Sequence, residues 1–209
     1  MKHGVTQSLF AYWNELRGER SAPERSEVDP GRIRHILADT FIIEVDDERL
    51  CPVRLAGARI SALAGRELKG ASFMALWRDE FREDAVALVD GAVNNACAVV
   101  ASVTGSSRDG RVHDLELLLL PLRHRGKTHS RLLGALSPLA APPRLGLDPV
   151  AGFEVRSRRI IHAVDAGTPA LRPPRERLGN VAPIRRGHLF VFAGGRIDGA
   201  EDAAKPPLT

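Results

Sequence analysis

The amino-acid sequence predicts an α+β protein built around an antiparallel sheet, and three observations support this class. Apolar residues recur at helical spacing in the first segment and again at residues 81–96, whereas they alternate with polar residues in between. The last three predicted strands are separated by short turns, so they should pair as antiparallel neighbours. The length of 209 residues suits one well-buried core, and the 44% hydrophobic, 27% charged composition is that of a globular protein.

Residues 1–39 are predicted to form helices that flank the core. The apolar side of the first helix consists of Val5, Leu9, Tyr12, Trp13 and Leu16. Gly18 suits the end of this helix. A second helix should begin at Asp29, whose carboxylate can accept hydrogen bonds from free backbone N–H groups, and Pro30 fits the first helical position. The buried side of this second helix would consist of Ile33, Ile36 and Leu37.

Residues 40–140 are predicted to form the core, whose first half contains two strands and a long helix. The first strand has alternating apolar residues at Phe41, Ile43 and Val45. The second strand would place on one face Cys51, Val53 and Leu55. Pro52 cannot donate to a neighbouring strand, so it should face a side without a partner or lie at a bulge. The apolar stripe of the long helix consists of Phe81, Ala85, Leu88, Ala92, Val93 and Ala96.

Three further strands complete the core. Residues 98–104 are small and β-branched, and a turn-forming stretch with Gly105 and Gly110 follows them. Residues 112–122 become apolar on both faces, which is typical of a central strand that is covered twice. A tight reversal at residues 123–127 then leads into the last strand.

Residues 141–209 are predicted to be a Pro/Arg-rich extension that is partly docked on the core. This segment contains 9 of the 14 prolines, and its 11 basic against 7 acidic residues account for the whole net charge of +4. Residues 153–161 should form one strand, and residues 188–195 should form a short apolar strand that docks on the main sheet.

Several stretches of the sequence carry a more specific signal. They are Tyr12–Arg20, Asp29–Leu37, Val53–Ile60, Gly65–Gly70, Trp77 and His188–Arg196. These stretches resemble a family of short, stand-alone bacterial PAS-domain proteins. The resemblance implies a five-stranded antiparallel sheet with helices on one face, and a sensory or protein-interaction role. It carries over no catalytic residue, because that family has no known active site.

The long helix and the concave face of such a sheet should enclose an apolar cavity, which is a common kind of ligand site. The expected lining consists of Met74, Trp77, Phe81, Leu88 and Cys97. On the first helix, Leu9, Trp13 and Leu16 would either pack within their own chain or form a contact with a second copy or another partner. The sequence favours neither alternative, because an apolar stripe requires burial without specifying what buries it.

No cofactor is predicted, except for an unidentified small apolar ligand. Haem would need an axial ligand such as His on the helix that faces the cavity, and residues 81–96 contain no His, Met or Tyr. A covalent flavin photosensor would show an Asn-Cys-Arg-Phe-type signature, which the sequence lacks. His113, His124 and His129 are interpreted as surface residues and not as metal ligands, because no Cys or carboxylate spacing accompanies them.

One basic cluster allows a sharper interpretation. Arg156, Arg158 and Arg159 are predicted to lie on a solvated strand edge, and binding of a phosphate-type anion is the alternative.

The sequence therefore predicts a non-enzymatic PAS signalling protein that acts through protein partners, with a homodimer through the first helix as one option. The competing hypothesis is a nucleic-acid or nucleotide-binding module that uses the basic extension. Nucleic acid is otherwise not expected, because residues 1–140 hold 19 basic and 19 acidic residues. A cytoplasmic location without membrane association is expected, since the chain has two cysteines, no secretory signal and no apolar run of about 18 residues.

Overall fold

The computed structural model describes residues 1–107, 109–125, 127–140 and 147–161, together with the backbone of 184–186 and 189–191. The chain divides into two compact units, residues 1–169 and residues 170–209. The first unit contains the sheet and its helices, and the second contains a short hairpin.

In the first unit, the described residues form three α-helices and six strands. The helices are α1 (Gly4–Arg17), α2 (Ala58–Ala64) and α3 (Arg82–Asn94). The strands are β1 (Thr40–Glu44), β2 (Val53–Ala56), β3 (Ala98–Ser107), β4 (Val112–His124), β5 (Lys127–Pro138) and β6 (Val150–Ile161). Short 3₁₀ turns lie at Arg25–Glu27, Leu37–Asp39, Phe73–Leu76 and Asp79–Phe81.

The six strands form one sheet in the order β2-β1-β5-β4-β3-β6, and every neighbouring pair is antiparallel. The predicted α+β fold with an antiparallel sheet is therefore confirmed. The sixth strand is the C-terminal strand expected at residues 153–161, and it pairs with β3 along the strand's whole length. The first part of the extension is thus part of the main sheet.

Both faces of the sheet are covered. On the inner face, α2, α3 and the turn Phe73–Leu76 pack over one apolar cluster, which includes Leu115, Leu117 and Leu119 of β4. On the outer face, α1 and residues 22–36 pack over a second cluster, which includes Leu118, Leu120 and Leu122 of the same strand. The core helices α2 and α3 therefore lie on one face, as predicted, and the flanking helix α1 lies on the opposite face.

The prediction of a regular helix that begins at Asp29 is wrong. Residues 30–36 form consecutive turns, in which the Ile33 N–H donates to the Pro30 carbonyl (3.3 Å) and the Ile36 N–H to the Ile33 carbonyl (2.9 Å). The expected cap does form, since the Asp29 carboxylate accepts the Gly31 N–H at 2.8 Å. These turns, closed by hydrogen bonds between residues three apart, still bury Ile33 and Ile36 on the outer face. Tertiary packing therefore stabilises this segment without a regular α-helix.

The prediction that Cys51, Val53 and Leu55 share one face of β2 is also wrong in part. Ile42 pairs with Leu55 and Ile43 pairs with Val53, so one extra residue is inserted between these pairs. The inserted residue reverses the alternation, which leaves Val53 buried and Leu55 42% exposed. Cys51 lies before the strand and not within it.

The second unit contains β7 (Ile184–Arg186) and β8 (Leu189–Val191), which pair as an antiparallel hairpin. A strand was predicted at residues 188–195, and β8 lies within that segment. Residues 188 and 192–195 and the predicted docking on the main sheet lie outside the described residues.

Leu88→Arg should abolish cooperative folding. Leu88 is fully buried in the inner cluster, where an arginine would be an unpaired charge that costs at least about 4 kcal/mol. The matched control is Asn94→Arg, which adds the same side chain at an exposed position of α3 and should leave the free energy of unfolding unchanged within about 0.5 kcal/mol. Urea unfolding of both variants gives the measurement, and a cooperatively melting Leu88→Arg protein would contradict the assigned face of α3.

Candidate functional site

The predicted lining residues are only partly brought together. Met74, Trp77 and Leu88 belong to the inner cluster. Phe81 is half-buried at the end of the turn before α3, and Cys97 is buried beyond the end of α3 but outside that cluster. The Cys97 thiol donates to the Asn95 carbonyl at 2.9 Å.

A row of four aromatic rings crosses the inner layer. The ring centroids of Phe41 and Phe73 lie 5.4 Å apart, those of Phe73 and Trp77 lie 5.8 Å apart, and those of Trp77 and Phe153 lie 6.0 Å apart. The last two pairs meet edge to face, an arrangement worth about 0.5–1.5 kcal/mol beyond burial. The Trp77 indole N–H is buried and has no hydrogen-bond partner among the described residues. Of these four residues, the sequence indicates only Trp77 as part of a ligand site.

A cavity of about 250 Å³ opens at one end of this row. Its lining consists of Ala64, Arg66, Ala75, Leu76, Pro149, Val150, Ala151 and Phe153. None of the five predicted lining residues is among them. The cavity lies between the end of α2, the turn at residues 73–76 and the start of β6, so it depends on the strand that the extension contributes to the sheet.

Helix α1 packs on the outer face of the sheet in its own chain. Leu9 and Trp13 are 0% and 3% exposed, and the Trp13 indole N–H donates to the Pro121 carbonyl at 2.8 Å. Leu16 is half-buried. For Leu9 and Trp13 the structure thus shows the in-chain alternative, while a contact between chains through this helix stays a prediction.

A buried carboxylate holds the start of α1. Glu116 projects from β4 and accepts the Lys2 N–H (2.7 Å), the His3 N–H (2.7 Å) and the Thr6 hydroxyl (2.6 Å). Burial by itself raises the pKa of Glu116, but the hydrogen bonds from Thr6, His3 and Lys2 outweigh it, so the pKa lies below its ordinary value. Glu116 is therefore a charged anchor beneath an apolar helix.

A second buried carboxylate lies just before β1 and pairs with an inner helix. Asp39 is 1% exposed and forms a salt bridge with Arg59 of α2. Burial raises the pKa of Asp39, although the positive charges of Arg59 and His3 act in the opposite direction.

The three arginines of the predicted basic cluster lie on β6. Arg156 is bonded to the Thr104 hydroxyl (2.9 Å) and to the Glu154 carboxylate (3.0 Å). Arg158 and Arg159 are exposed. Binding of an anion by these residues stays a prediction.

The histidines do not converge in the described part of the chain. The His113 Nε2 atom lies 3.1 Å from the Ser107 hydroxyl oxygen, and His124 is half-buried near the end of β4. The side chain of His129 and the whole of Gly126 lie outside the description. Across the described ranges, no group of three or more His, Cys, Asp or Glu residues could hold a metal ion. None of the helices described is long and apolar enough to cross a membrane.

Comparison with known proteins gives one family match and a set of similar folds. A family model described as a PAS domain matches residues 1–137. No curated protein matches the sequence. Among solved structures, a LOV protein from Rhodobacter sphaeroides is 17% identical, with 51% of this chain aligned to 61% of that chain at a TM-score of 0.41. The PAS domain of a protein from Colwellia psychrerythraea is 17% identical over 53% of this chain and 98% of its own, with a TM-score of 0.41.

A third structure, "Flavin Analogue Sheds Light on Light-Oxygen-Voltage Domain Mechanism", is 16% identical over 53% of this chain and 83% of that chain, with a TM-score of 0.43. The prediction that this chain has no cofactor is therefore wrong as it stands, because a protein of similar fold is described with a flavin analogue. The likeness is one of fold and assigns no flavin-binding residue here. In this chain Leu88 of α3, Phe73 and Trp77 are buried together in the inner cluster.

Glu116→Gln should weaken the attachment of α1. One carbonyl oxygen cannot accept what two carboxylate oxygens accept from Lys2, His3 and Thr6, and the new NH₂ group faces other donors. A loss of about 2 kcal/mol in unfolding free energy is expected, with faster hydrogen exchange along α1. Glu80→Gln is the control, since the Glu80 side chain is 68% exposed and its removal should change stability by less than about 0.5 kcal/mol.

The advantage of Glu116 over glutamine should disappear in acid. Because the folded-state pKa of Glu116 is lowered, its stabilisation is complete above the ordinary value of 4.5 and is lost as the pH falls through the folded-state pKa. The difference in unfolding free energy between wild type and Glu116→Gln should be constant from about pH 5 to pH 7 and should shrink below about pH 4. Asp39 acts with the opposite sign but is present in both proteins. A difference that grows on acidification would show that the sign is wrong.

Proposed function

The chain belongs to the PAS domain family, a family of sensory and signalling domains, and on that premise we propose that it passes its signal on by binding a protein partner. This chain spans 61% of the length of the Rhodobacter sphaeroides LOV protein. The proposal therefore concerns the domain formed by the first unit. The observation that carries it is the attachment of α1 to the outer face of the sheet through one buried carboxylate, Glu116.

The attachment of α1 has the properties of a switchable contact. The helix buries Leu9 and Trp13 against a leucine-rich face, but its polar hold on the sheet is concentrated at Glu116 and at the Trp13–Pro121 hydrogen bond. A signal that weakens either contact would shift the population towards a state with α1 released. Release exposes a contiguous apolar face, which a protein partner can cover.

The inner layer is connected to that contact in two ways. One is electrostatic, because Asp39 pairs with Arg59 of α2 and the positive charge of His3, just before α1, acts on the same carboxylate. In addition, β4 carries buried leucines on both faces, so a change in packing under α3 alters the surface against which α1 packs. Such contiguous packing supports transmission from the inner layer to α1.

We also propose that the domain has no enzymatic activity. This proposal is supported by the structural use of two of its buried acids, since Glu116 binds the start of α1 and Asp39 pairs with Arg59. Neither carboxylate is left to act on a substrate.

Partner capture should depend on Glu116. The full chain carrying an affinity tag is expressed at its native level in its own cells, cross-linked and purified, and the recovered proteins are quantified for wild type, Glu116→Gln and Glu80→Gln. At least one protein should differ by about fivefold or more in recovery between wild type and Glu116→Gln, because about 1.4 kcal/mol changes a population ratio tenfold. Its recovery with Glu80→Gln should match wild type.

The proposal fails if the three proteins recover the same set while hydrogen exchange shows that α1 is released in Glu116→Gln. It also fails if no protein is recovered above the background of an untagged strain.

A further inference from the structure

We propose that the second half of β6, residues 156–161, binds an extended acidic segment of a protein partner as an added strand. This inference rests on the proposed function, and it adds the surface and the chemistry of the partner. The segment is called the β6 edge below.

The β6 edge is a part of the sheet margin for which the described residues provide no pairing partner. On the opposite margin, residues 70–71 pair with β2, where the Val53 N–H donates to the Ala71 carbonyl (2.8 Å) and the Gly70 N–H to the Val53 carbonyl (2.7 Å). The first half of β6 is covered as well, because the Arg78 N–H donates to the Phe153 carbonyl at 3.1 Å. Beyond that point no described residue pairs with β6 on the side away from β3. Its outward N–H and C=O groups are a template for another strand.

The β6 edge carries positive charge on both faces of the sheet. Arg158 is in register with Ala101, whose side chain belongs to the inner cluster, and Arg159 is in register with Val100 of the outer cluster. Neither arginine has a carboxylate partner among the described residues, in contrast to Arg156, which is bonded to Glu154. A strand with two consecutive acidic residues would place one carboxylate beside each arginine.

The same segment also offers a small apolar contact. Ile160 follows Arg158 by two positions, so both side chains lie on one face of the strand, and Ile160 is 37% exposed. An apolar residue two positions from an acidic one in the partner would match this pair. Main-chain hydrogen bonds would supply affinity, and these side chains would supply selectivity.

A nucleic acid fits the β6 edge less well. The exposed residues from Arg156 to Ile160 include no aromatic side chain, so bases would have no surface on which to stack. Free backbone donors and acceptors along an extended chain are satisfied by another strand. Charged residues on an edge strand can also serve to prevent pairing with other chains. Binding of an acidic strand would show that Arg158 and Arg159 recognise a partner, and the absence of such binding would show that they prevent pairing.

The experiment uses the full chain and two capped octapeptides. The first is Thr-Val-Thr-Glu-Glu-Val-Thr-Val, and the second has Gln-Gln in place of Glu-Glu. Binding is measured by fluorescence anisotropy of labelled peptide at low and high salt, and hydrogen exchange is followed at residues 157–161. We expect the Glu-Glu peptide to bind at least tenfold more tightly than the Gln-Gln peptide, with salt-dependent affinity and slower exchange at the β6 edge.

Matched variants locate the site. Arg158→Glu/Arg159→Glu should weaken binding of the Glu-Glu peptide by at least tenfold. Arg34→Glu/Lys69→Glu makes the same change of net charge at two other exposed positions and should bind as wild type does. All four residues are exposed, so the melting temperatures of both variants should stay close to that of wild type.

Three binding results overturn the inference: no binding of the Glu-Glu peptide, equal binding of both peptides, or undiminished binding by Arg158→Glu/Arg159→Glu. Slow hydrogen exchange at residues 157–161 in the chain without peptide also overturns it, because another segment of the same chain would then cover the edge. Competition by a thymidine decamer that is lost in Arg158→Glu/Arg159→Glu, without peptide binding, would assign the site to nucleic acid and overturn it too. If the peptide fails while partner capture still depends on Glu116, only this inference fails. If the peptide binds while partner capture fails, the β6 edge stands and the proposed function does not.

Discussion

Strand β4 requires a cover on each of its two faces, and the rest of the architecture depends on this requirement. Between residues 115 and 122 its leucines are buried alternately under α3 and under α1. Each fully buried leucine is worth about 1.5–3 kcal/mol, so exposing either set is costly unless another apolar surface, such as that of a protein partner, takes the place of the helix. Helix α1 is therefore part of the folded core, although it lies before the sheet in the sequence and on the side opposite the other two helices.

The local periods of the sequence predict most of this architecture. Strands β1, β3, β4 and β5 follow from alternation or from apolar runs, and α1 and α3 follow from helical stripes. Two predictions went wrong where a single backbone detail decided the outcome. An inserted residue in β2 reversed the side on which Leu55 lies, and the segment after Asp29 closed three-residue turns in place of a helix. Neither the inserted residue nor the turn type changes the spacing of apolar residues, so periodicity could not show them.

The candidate site was predicted less well, because its contacts join distant parts of the chain. Glu116 interrupts an apolar run in the sequence, but the donors that it binds lie more than 100 residues away at Lys2, His3 and Thr6. The aromatic row draws its rings from β1, from the turns before α3 and from β6. Similarly, the cavity beside this row depends on Pro149 and Val150, which the composition assigned to an extension. Only the three-dimensional order of the strands brings these residues together.

The chain contains two tryptophans, and the sheet separates them. Trp13 lies in the outer layer with its indole N–H bonded to the Pro121 carbonyl, whereas Trp77 lies in the inner layer between two phenylalanine rings. The fluorophore environments therefore differ in hydrogen bonding and in ring contacts, although both indoles are shielded from solvent. Emission from Trp13→Phe and Trp77→Phe proteins would consequently provide separate optical signals for the two layers, without an added dye. The order in which the layers loosen can thus be followed in real time with the chain's own residues.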